Sequence, residues 1–249
     1  METTDTIDTA WGPQRLFVRF TQEAPEGAPI VVLVHGLGVS GRYMLPLMKE
    51  LRAVAHVFAP DLLGFGRSQK PAFALDMQQL ADVLGIWMRT RNLAGACVVG
   101  GSMGCQVAVH LAQRHPELAE GLVLVGPTMD PTVSAARQVI RWLSMAFVEP
   151  VRLIPIVLRD YLAAGFMRTL RTFRFALRDH IEERVGAIPQ RVVVVRGRQD
   201  RIVTAAWAAT VAKRARNGRV VTVPTGGHAV NFDAPRPLAR IIKCVLRER

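Results

Sequence analysis

The amino-acid sequence predicts an α/β protein, in which a mostly parallel sheet has helices on both faces. Three observations lead to this prediction: strand-like apolar runs recur along the chain, helical patterns separate them, and one long stretch holds helices alone. Strands that alternate with helices form parallel sheets. The continuous β-branched run at residues 30–34 is typical of a strand buried on both faces.

Seven strand-like runs and five helical patterns follow one another along the chain. Residues 15–20 alternate apolar and polar side chains, which indicates a half-buried strand. In residues 75–92 apolar side chains recur every three or four positions, as in an amphipathic helix. The other strands are predicted at 30–34, 56–61, 96–101, 121–126, 191–197 and 219–224, and the other helices at 44–54, 104–115, 204–216 and 237–248.

The alternation of strands and helices stops between Gly126 and Arg191. We predict three or four helices here, because prolines divide the stretch and it lacks strand-like runs. A helical insertion between two strands would lie over one edge of the sheet, as a lid does. We therefore expect a core of residues 1–126 and 189–249 and a helical cap of residues 127–188.

Composition excludes several classes of protein. With 249 residues, 50% apolar and 21% charged, the chain is neither disordered nor a coiled coil, and it can bury a sizeable core. Its three cysteines are too few for a disulfide framework or a cysteine-rich zinc site. The N-terminus lacks a secretory signal, and no apolar run is long enough to span a membrane. We expect a cytoplasmic protein that binds no metal.

The positive charge is concentrated at one end of the chain. The net charge is +12, and residues 186–249 hold 13 basic and 3 acidic side chains. A solvated basic face is the favoured interpretation, because aromatic residues do not alternate with these arginines as they do in RNA-binding proteins. Nucleic acid is not an expected partner, and a homodimer stays an open alternative.

The sharpest motif is Gly-Gly-Ser-Met-Gly at residues 100–104, which matches the pattern G-x-S-x-G. It follows one predicted strand and opens a helix, so Ser102 is expected on a tight strand-to-helix turn as a nucleophile. Cys105, next to this turn, is an alternative nucleophile, but a small buried residue is the favoured interpretation.

A serine needs a base, and the base needs an acid that orients it. His228 follows the last predicted strand in a glycine-rich loop, and Asp200 follows the strand before it. The order Ser102, Asp200, His228 is that of one class of hydrolases. Asp130, after an earlier strand, is the alternative acid. The backbone N–H groups of Met103 and Leu37, the latter in the glycine-rich loop 35–38, are the expected oxyanion donors.

With these motifs the chain resembles the α/β-hydrolase fold family over nearly its whole length. The matching segments occur in the family's order: VHGLG, DLLGFGRS, GGSMG, GRQD and GH, which begin at residues 34, 61, 100, 197 and 227. The resemblance implies an eight-stranded sheet with one antiparallel strand near its start, and a cap formed by residues 127–188.

The resemblance also assigns roles to single residues. It implies a catalytic triad of Ser102, Asp200 and His228, with oxyanion donors at Leu37 and Met103. His35 and Asp61 would orient loops near the site.

The expected function is hydrolysis of a small to medium carboxylic ester with an apolar part, through an acyl-enzyme and without a cofactor. One alternative is a carbon–carbon bond hydrolase of a vinylogous diketone acid. Such enzymes usually have a tryptophan after the histidine, where this chain has Ala229. A slow-turnover ligand receptor of the same fold is another alternative. Cap arginines are candidates to hold a substrate carboxylate, although solvated helix faces are favoured: Arg137, Arg141, Arg168, Arg171 and Arg174.

Overall fold

The computed structural model describes residues 1–145 and 149–248, and eight strands within these residues form one sheet. The strand order across the sheet is β1-β2-β4-β3-β5-β6-β7-β8. The strands are β1 (Glu2–Thr9), β2 (Gly12–Phe20), β3 (Ile30–Val34), β4 (His56–Pro60), β5 (Ala96–Gly101), β6 (Ala119–Val125), β7 (Arg191–Gly197) and β8 (Asn217–Val223).

The direction of the strands confirms the predicted fold class. Strand β2 runs antiparallel to both of its neighbours, β1 and β4. Every other neighbouring pair, from β4 to β8, is parallel. In a parallel sheet the carboxyl ends of the strands meet at one edge. The loops after β3, β5, β6, β7 and β8 therefore leave the sheet on the same side.

Strand β1 is the element that the residue pattern did not reveal. It pairs along its whole length with β2, from Glu2 opposite Arg19 to Thr9 opposite Gly12. Among its side chains only Ile7 is fully buried. An edge strand held by backbone hydrogen bonds to one neighbour does not need alternating apolar residues, so its polar sequence was not read as a strand.

Helices cover both faces of the sheet. One face packs against α2 (Met77–Thr90), α3 (Gly104–Arg114) and α8 (Ala205–Arg214), and the other against α1 (Leu45–Leu51) and α10 (Pro235–Arg247). A single turn of helix, α9 (Val230–Asp233), precedes α10. Along β3, Val32 contributes to the first core and Val31 to the second. This alternation explains why the central strands are apolar at every position.

Among the described residues, four α-helices lie between β6 and β7, within the stretch predicted to be a cap. They are α4 (Ala135–Ser144), α5 (Ile154–Ala164), α6 (Phe166–Arg178) and α7 (Ile181–Arg184). Residues 146–148 of this stretch lie outside the described residues. We refer to residues 127–188 as the helical insertion.

Buried polar side chains tie the helical insertion to the core. In α3, the Gln106 amide donates to the carbonyl oxygens of Ala176 (2.8 Å) and Asp179 (3.0 Å), and His110 Nε2 bonds to the Asp179 carboxylate at 2.7 Å. At the other end, the Ser40 hydroxyl donates to Asp160 of α5 at 2.5 Å. These contacts hold α5 and the end of α6 against the core.

None of the described helices, in residues 1–145 and 149–248, combines the length and the apolar composition needed to cross a membrane.

Trp87 is the largest fully buried side chain, and its removal is expected to destabilise the protein strongly. Its ring packs edge-on against Phe58, with centroids 6.1 Å apart, and its indole N–H donates to Asp5 at 2.8 Å. Trp87→Ala should lower the free energy of unfolding by about 3–5 kcal/mol, because it leaves a large cavity in the core.

The measurement is urea denaturation, with Trp11→Ala as the matched control. Trp11 is 38% exposed and contacts Phe73 at the surface, so its loss should cost about 1 kcal/mol or less. Equal losses in the two variants would contradict this account of the core.

Candidate active site

Ser102 lies on the turn between β5 and α3, as the motif predicted. Its φ of +55° is in the left-handed region, which is uncommon for a residue with a side chain. The turn is possible because the glycines on both sides allow close contact. A Cβ at Gly100 would lie 2.5 Å from the Gly104 carbonyl oxygen, and one at Gly104 would lie 2.7 Å from that of His35. The strain at Ser102 is thus held by packing of backbone against backbone.

The loop after β3 lies beside Ser102. A Cβ at Gly36 would be 3.1 Å from Ser102 Cβ and 3.6 Å from its Oγ. Within the described residues, the backbone N–H groups of Leu37 and Met103 donate no hydrogen bond to the protein. Two free backbone donors next to a strained serine are the groups that an oxyanion hole requires.

His35 and Asp61 fix this loop against the loop after β4. The Nδ1–H of His35 donates to the Gly36 carbonyl oxygen, and its Nε2 accepts from the Leu62 N–H, both at 2.8 Å. Burial lowers the pKa of His35, which keeps its ring neutral. The Asp61 carboxylate accepts from Arg19 at 2.6 Å and from the Gly41 N–H at 2.7 Å. Both side chains act as structural ties.

The structure brings His228 and Asp200 into direct contact. His228 Nδ1–H donates to Asp200 Oδ2 at 2.9 Å. The other carboxylate oxygen of Asp200 accepts from the backbone N–H groups of Ile202 (2.8 Å) and Val203 (2.9 Å). The Asp200 side chain is fully buried, whereas His228 keeps 12% of its side-chain surface exposed. The imidazole is therefore held through Nδ1.

Asp130, the alternative acid, points elsewhere. Its carboxylate accepts from the backbone and the hydroxyl of Thr132, at 2.9 and 2.6 Å.

The end of β6 contacts both Ser102 and the His228–Asp200 pair. The Ser102 N–H donates to the Val125 carbonyl oxygen at 2.8 Å. The next residue, Gly126, lies against the imidazole: a Cβ there would be 2.9 Å from His228 Cε1 and 3.4 Å from Asp200 Oδ2. The φ of Gly126 is +59°, so glycine satisfies both the backbone and the available space.

The Ser102 hydroxyl forms no hydrogen bond with the His228 ring in the described part of the chain. In proteins without a bound substrate, such catalytic hydrogen bonds are often long and tighten only in the complex.

Charge around His228 determines its protonation. Burial acts to lower the pKa of His228, but the carboxylates of Asp200, Glu149 and Asp233 outweigh it and raise that pKa above its usual range. For Asp200, burial acts to raise the pKa, and the charge and hydrogen bond of His228 outweigh it, so the pKa of this carboxyl is lowered. A charged carboxylate beside an easily protonated imidazole is the arrangement of a general base and its orienting acid.

Glu149 is a site residue that sequence reasoning missed. It comes from the helical insertion, and one carboxylate oxygen accepts from the backbone N–H groups of His228 (2.8 Å) and Ala229 (2.9 Å). Burial raises the pKa of Glu149. A clue in the sequence was its isolation: residues 131–178 hold eight arginines and two acidic residues, Glu149 and Asp160. The structure turns both acids inward onto loops of the site.

Other candidates from the sequence are placed away from the chemistry. The Cys105 thiol is fully buried, and burial raises its pKa, so it stays protonated and unreactive. Arg168 donates to the carbonyl oxygens of Phe73 (2.7 Å) and Pro71, which fixes it as a structural contact. Arg137, Arg171 and Arg174 are exposed to solvent.

One cluster of side chains has the spacing of metal ligands. In the described residues, His180, Glu182 and Glu183 each offer a ligand atom, and these atoms lie within 4.8 Å of one another. They lie at α7, whereas Ser102, Asp200 and His228 lie in loops at the strand ends.

Replacing Glu149 by glutamine should lower the pKa of His228. The amide keeps an oxygen that accepts from the two backbone N–H groups, but it removes a negative charge that stabilises the imidazolium. NMR titration of the His228 imidazole in wild type and Glu149→Gln measures the change directly. Glu26→Gln, at an exposed loop carboxylate, is the control and should leave the titration unchanged. A wild-type pKa in Glu149→Gln would contradict the electrostatic role.

The chain is similar to one known family and to several known proteins. Residues 31–241 match the family model described as "Alpha/beta hydrolase family". A 1-acylglycerol-3-phosphate O-acyltransferase of Arabidopsis thaliana is 35% identical over 111 residues, which is 43% of this chain and 27% of that protein. The chain thus spans about a quarter of that relative's length.

Two further proteins match along nearly the whole chain. A 2-hydroxymuconate semialdehyde hydrolase of Pseudomonas sp. (strain CF600) is 27% identical over 89% of this chain and 88% of its own. The solved structure of a thermophilic esterase from Thermogutta terrifontis superposes with a TM-score of 0.83 at 21% identity, over 99% of this chain and 98% of that one. With the family model matched over most of its length, this chain belongs to the α/β-hydrolase family.

Proposed function

We propose that the protein is a serine hydrolase that cleaves a carboxylic ester through an acyl-enzyme on Ser102. The observation that supports this most is the pairing of His228 with a fully buried Asp200 against Gly126. Gly126 directly follows Val125, whose carbonyl oxygen accepts from the N–H of the strained Ser102. The pairing leaves Nε2 of the imidazole as the nitrogen available to the serine. No other described serine combines a left-handed turn with such neighbours.

In the proposed reaction, Ser102 Oγ attacks the ester carbonyl carbon while His228 Nε2 accepts the hydroxyl proton. Asp200 stabilises the resulting imidazolium and keeps the ring oriented. The N–H groups of Leu37 and Met103 donate to the oxyanion of the tetrahedral intermediate. His228 then gives its proton to the leaving alcohol. Water attacks the acyl-enzyme with His228 again as base, which releases the carboxylic acid and restores Ser102.

The helical insertion is the proposed cap over this site. Its contacts with the site loops support the proposal: Asp160 accepts from Ser40, Glu149 accepts from His228, and a Cβ at Gly38 would overlap the ring of Tyr161. Such contacts would place side chains of α5 above the Leu37 loop. A cap rich in aliphatic and aromatic residues suits a substrate with an apolar acyl or alkyl part.

A carbon–carbon bond hydrolase is the second candidate function. It is favoured by the Pseudomonas relative named as a 2-hydroxymuconate semialdehyde hydrolase, which matches 89% of this chain. In the part of the chain described, however, the arginines Arg171 and Arg174 face solvent, and Arg168 is held by backbone carbonyls. None of these described arginines of α6 is placed to bind a substrate carboxylate, so we favour ester hydrolysis.

Ser102→Ala should abolish ester turnover while the fold stays intact. The nucleophile is lost, and its small side chain makes no hydrogen bond to be left unpaired. Hydrolysis of p-nitrophenyl esters of increasing acyl length measures both the loss and the size of the acyl pocket; a fall of at least about 10³-fold is expected. Ser134→Ala, at an exposed serine, is the matched control.

Full ester turnover by Ser102→Ala would overturn the assignment of the nucleophile. Cleavage of a vinylogous diketone acid by the wild type, with little ester turnover, would select the second candidate. Tight ligand binding without product release would select the receptor alternative.

The pH dependence of kcat/KM should fall on the acid side, because protonated His228 cannot accept the serine proton. Since neighbouring carboxylates raise the pKa of His228, the fall should begin at a higher pH than for a free imidazole, whose pKa is about 6.5. A rate that stays constant down to about pH 4, where ordinary carboxyl groups titrate, would contradict His228 as the base.

A further inference from the structure

The helical insertion exposes an apolar stripe along α5. Val151, Ile154, Leu158 and Leu162 follow one another at intervals of three and four residues, which puts them on one face of a helical segment. Their exposed fractions are 78%, 50%, 59% and 74%. Phe166, the first residue of α6 after the helix break at Gly165, is 77% exposed. We call these five residues the α5 stripe. Large aliphatic side chains exposed in a continuous row mark an interaction surface.

The exposed charged side chains of residues 131–178, which include the α5 stripe, are all arginines. Residues 131–178 hold eight arginines, and their two acidic residues, Glu149 and Asp160, are used in contacts with the core loops. On α5, Arg159 is exposed beside the stripe. Arg152, in the turn before α5, is exposed as well, but its guanidinium lies over the Phe232 ring at 5.4 Å. On α6, Met167 is followed by three exposed arginines at helical spacing, Arg171, Arg174 and Arg178.

This charge argues against a second copy of the chain as the occupant. A symmetric contact through the α5 stripe would bring the arginines of one copy near those of the other, with no exposed acidic side chain of residues 131–178 to pair with them. The surface needs a partner that is apolar where the stripe meets it and negative at the margins.

We propose that the α5 stripe docks on the surface of an anionic lipid bilayer. An interfacial helix buries its apolar face at the boundary of headgroups and acyl chains while its cationic side chains reach the phosphates. The aliphatic stripe meets the first requirement, and Arg159, Arg171 and Arg174 meet the second. Arginine suits this position because its aliphatic stem packs against apolar groups while its guanidinium binds phosphate. Contact through this face leaves the rest of the chain in water.

Co-sedimentation with lipid vesicles tests the proposal. The full chain carrying Ser102→Ala, which prevents any lipid hydrolysis, is mixed with vesicles of phosphatidylcholine alone or with an equal part of phosphatidylglycerol. We expect binding to the anionic vesicles and weaker binding to the neutral ones. Leu158→Ser/Leu162→Ser and, separately, Arg171→Gln/Arg174→Gln should each reduce partitioning into anionic vesicles by about tenfold or more.

Matched variants outside the helical insertion separate this surface from general charge. Arg240→Gln/Arg247→Gln removes the same charge from exposed positions of the basic last quarter. Leu45→Ser/Val54→Ser changes two exposed apolar residues, 45% and 39% exposed, elsewhere on the chain. Both controls should keep most of the binding.

Three results would overturn the proposal. The first is equal loss of binding in the control variants, and the second is equal binding to neutral and anionic vesicles. The third is a dimer in sedimentation velocity that Leu158→Ser/Leu162→Ser dissociates, which would assign the stripe to a second copy. All variants lie on the surface, so circular dichroism should show an unchanged fold.

Discussion

Burial of the central strands on both faces is the constraint on which the rest of the molecule depends. Val31 and Val32 of β3 point into opposite cores, and the same holds for Val98 and Val99 of β5. A strand of this kind has no position for a charged side chain, because burying an unpaired charge is too costly. Polar chemistry is therefore confined to the strand ends. Ser102, Asp200 and His228 follow β5, β7 and β8 at one edge of the sheet, and Gly126 at the end of β6 provides the space between them.

Charged side chains of the helical insertion differ in whether they point toward the core or into solvent. Glu149 and Asp160 face the core, where Asp160 meets Ser40 and Glu149 meets the backbone of His228. Most of its arginines face the solvent. Two inward carboxylates can bind free N–H and O–H donors in the loops, which arginine could not do because it has no acceptor. The segment thus combines attachment to the site with a cationic outer surface over residues 131–178.

Much of this architecture could be predicted from the sequence, and the missing parts share a cause. Continuous or alternating apolar runs located seven strands, and helical spacing located α2 and α3, because burial produces a periodic apolar pattern in the sequence. β1 shows no such pattern, because backbone pairing with β2 holds the strand in place and its side chains are mostly polar and not fully buried. The glycine pattern around Ser102 and the strand-end positions of Asp200 and His228 identified candidate site loops. Glu149 could not be assigned in this way, because its contact joins residues 79 apart across a segment whose packing no local pattern encodes.

The contact between Glu149 and the His228 loop couples protonation of His228 to attachment of the helical insertion. If the carboxylate of the insertion favours the imidazolium form of His228, the imidazolium favours the carboxylate by the same free energy, because coupling between two sites is reciprocal. The attachment of the insertion to this loop is then strongest in the protonation state that the ring has after it accepts a proton. A proton taken up at the sheet edge would tighten the segment above it, and release of that proton would loosen it. Protonation of His228 and attachment of the helical insertion would then belong to a single coupled equilibrium.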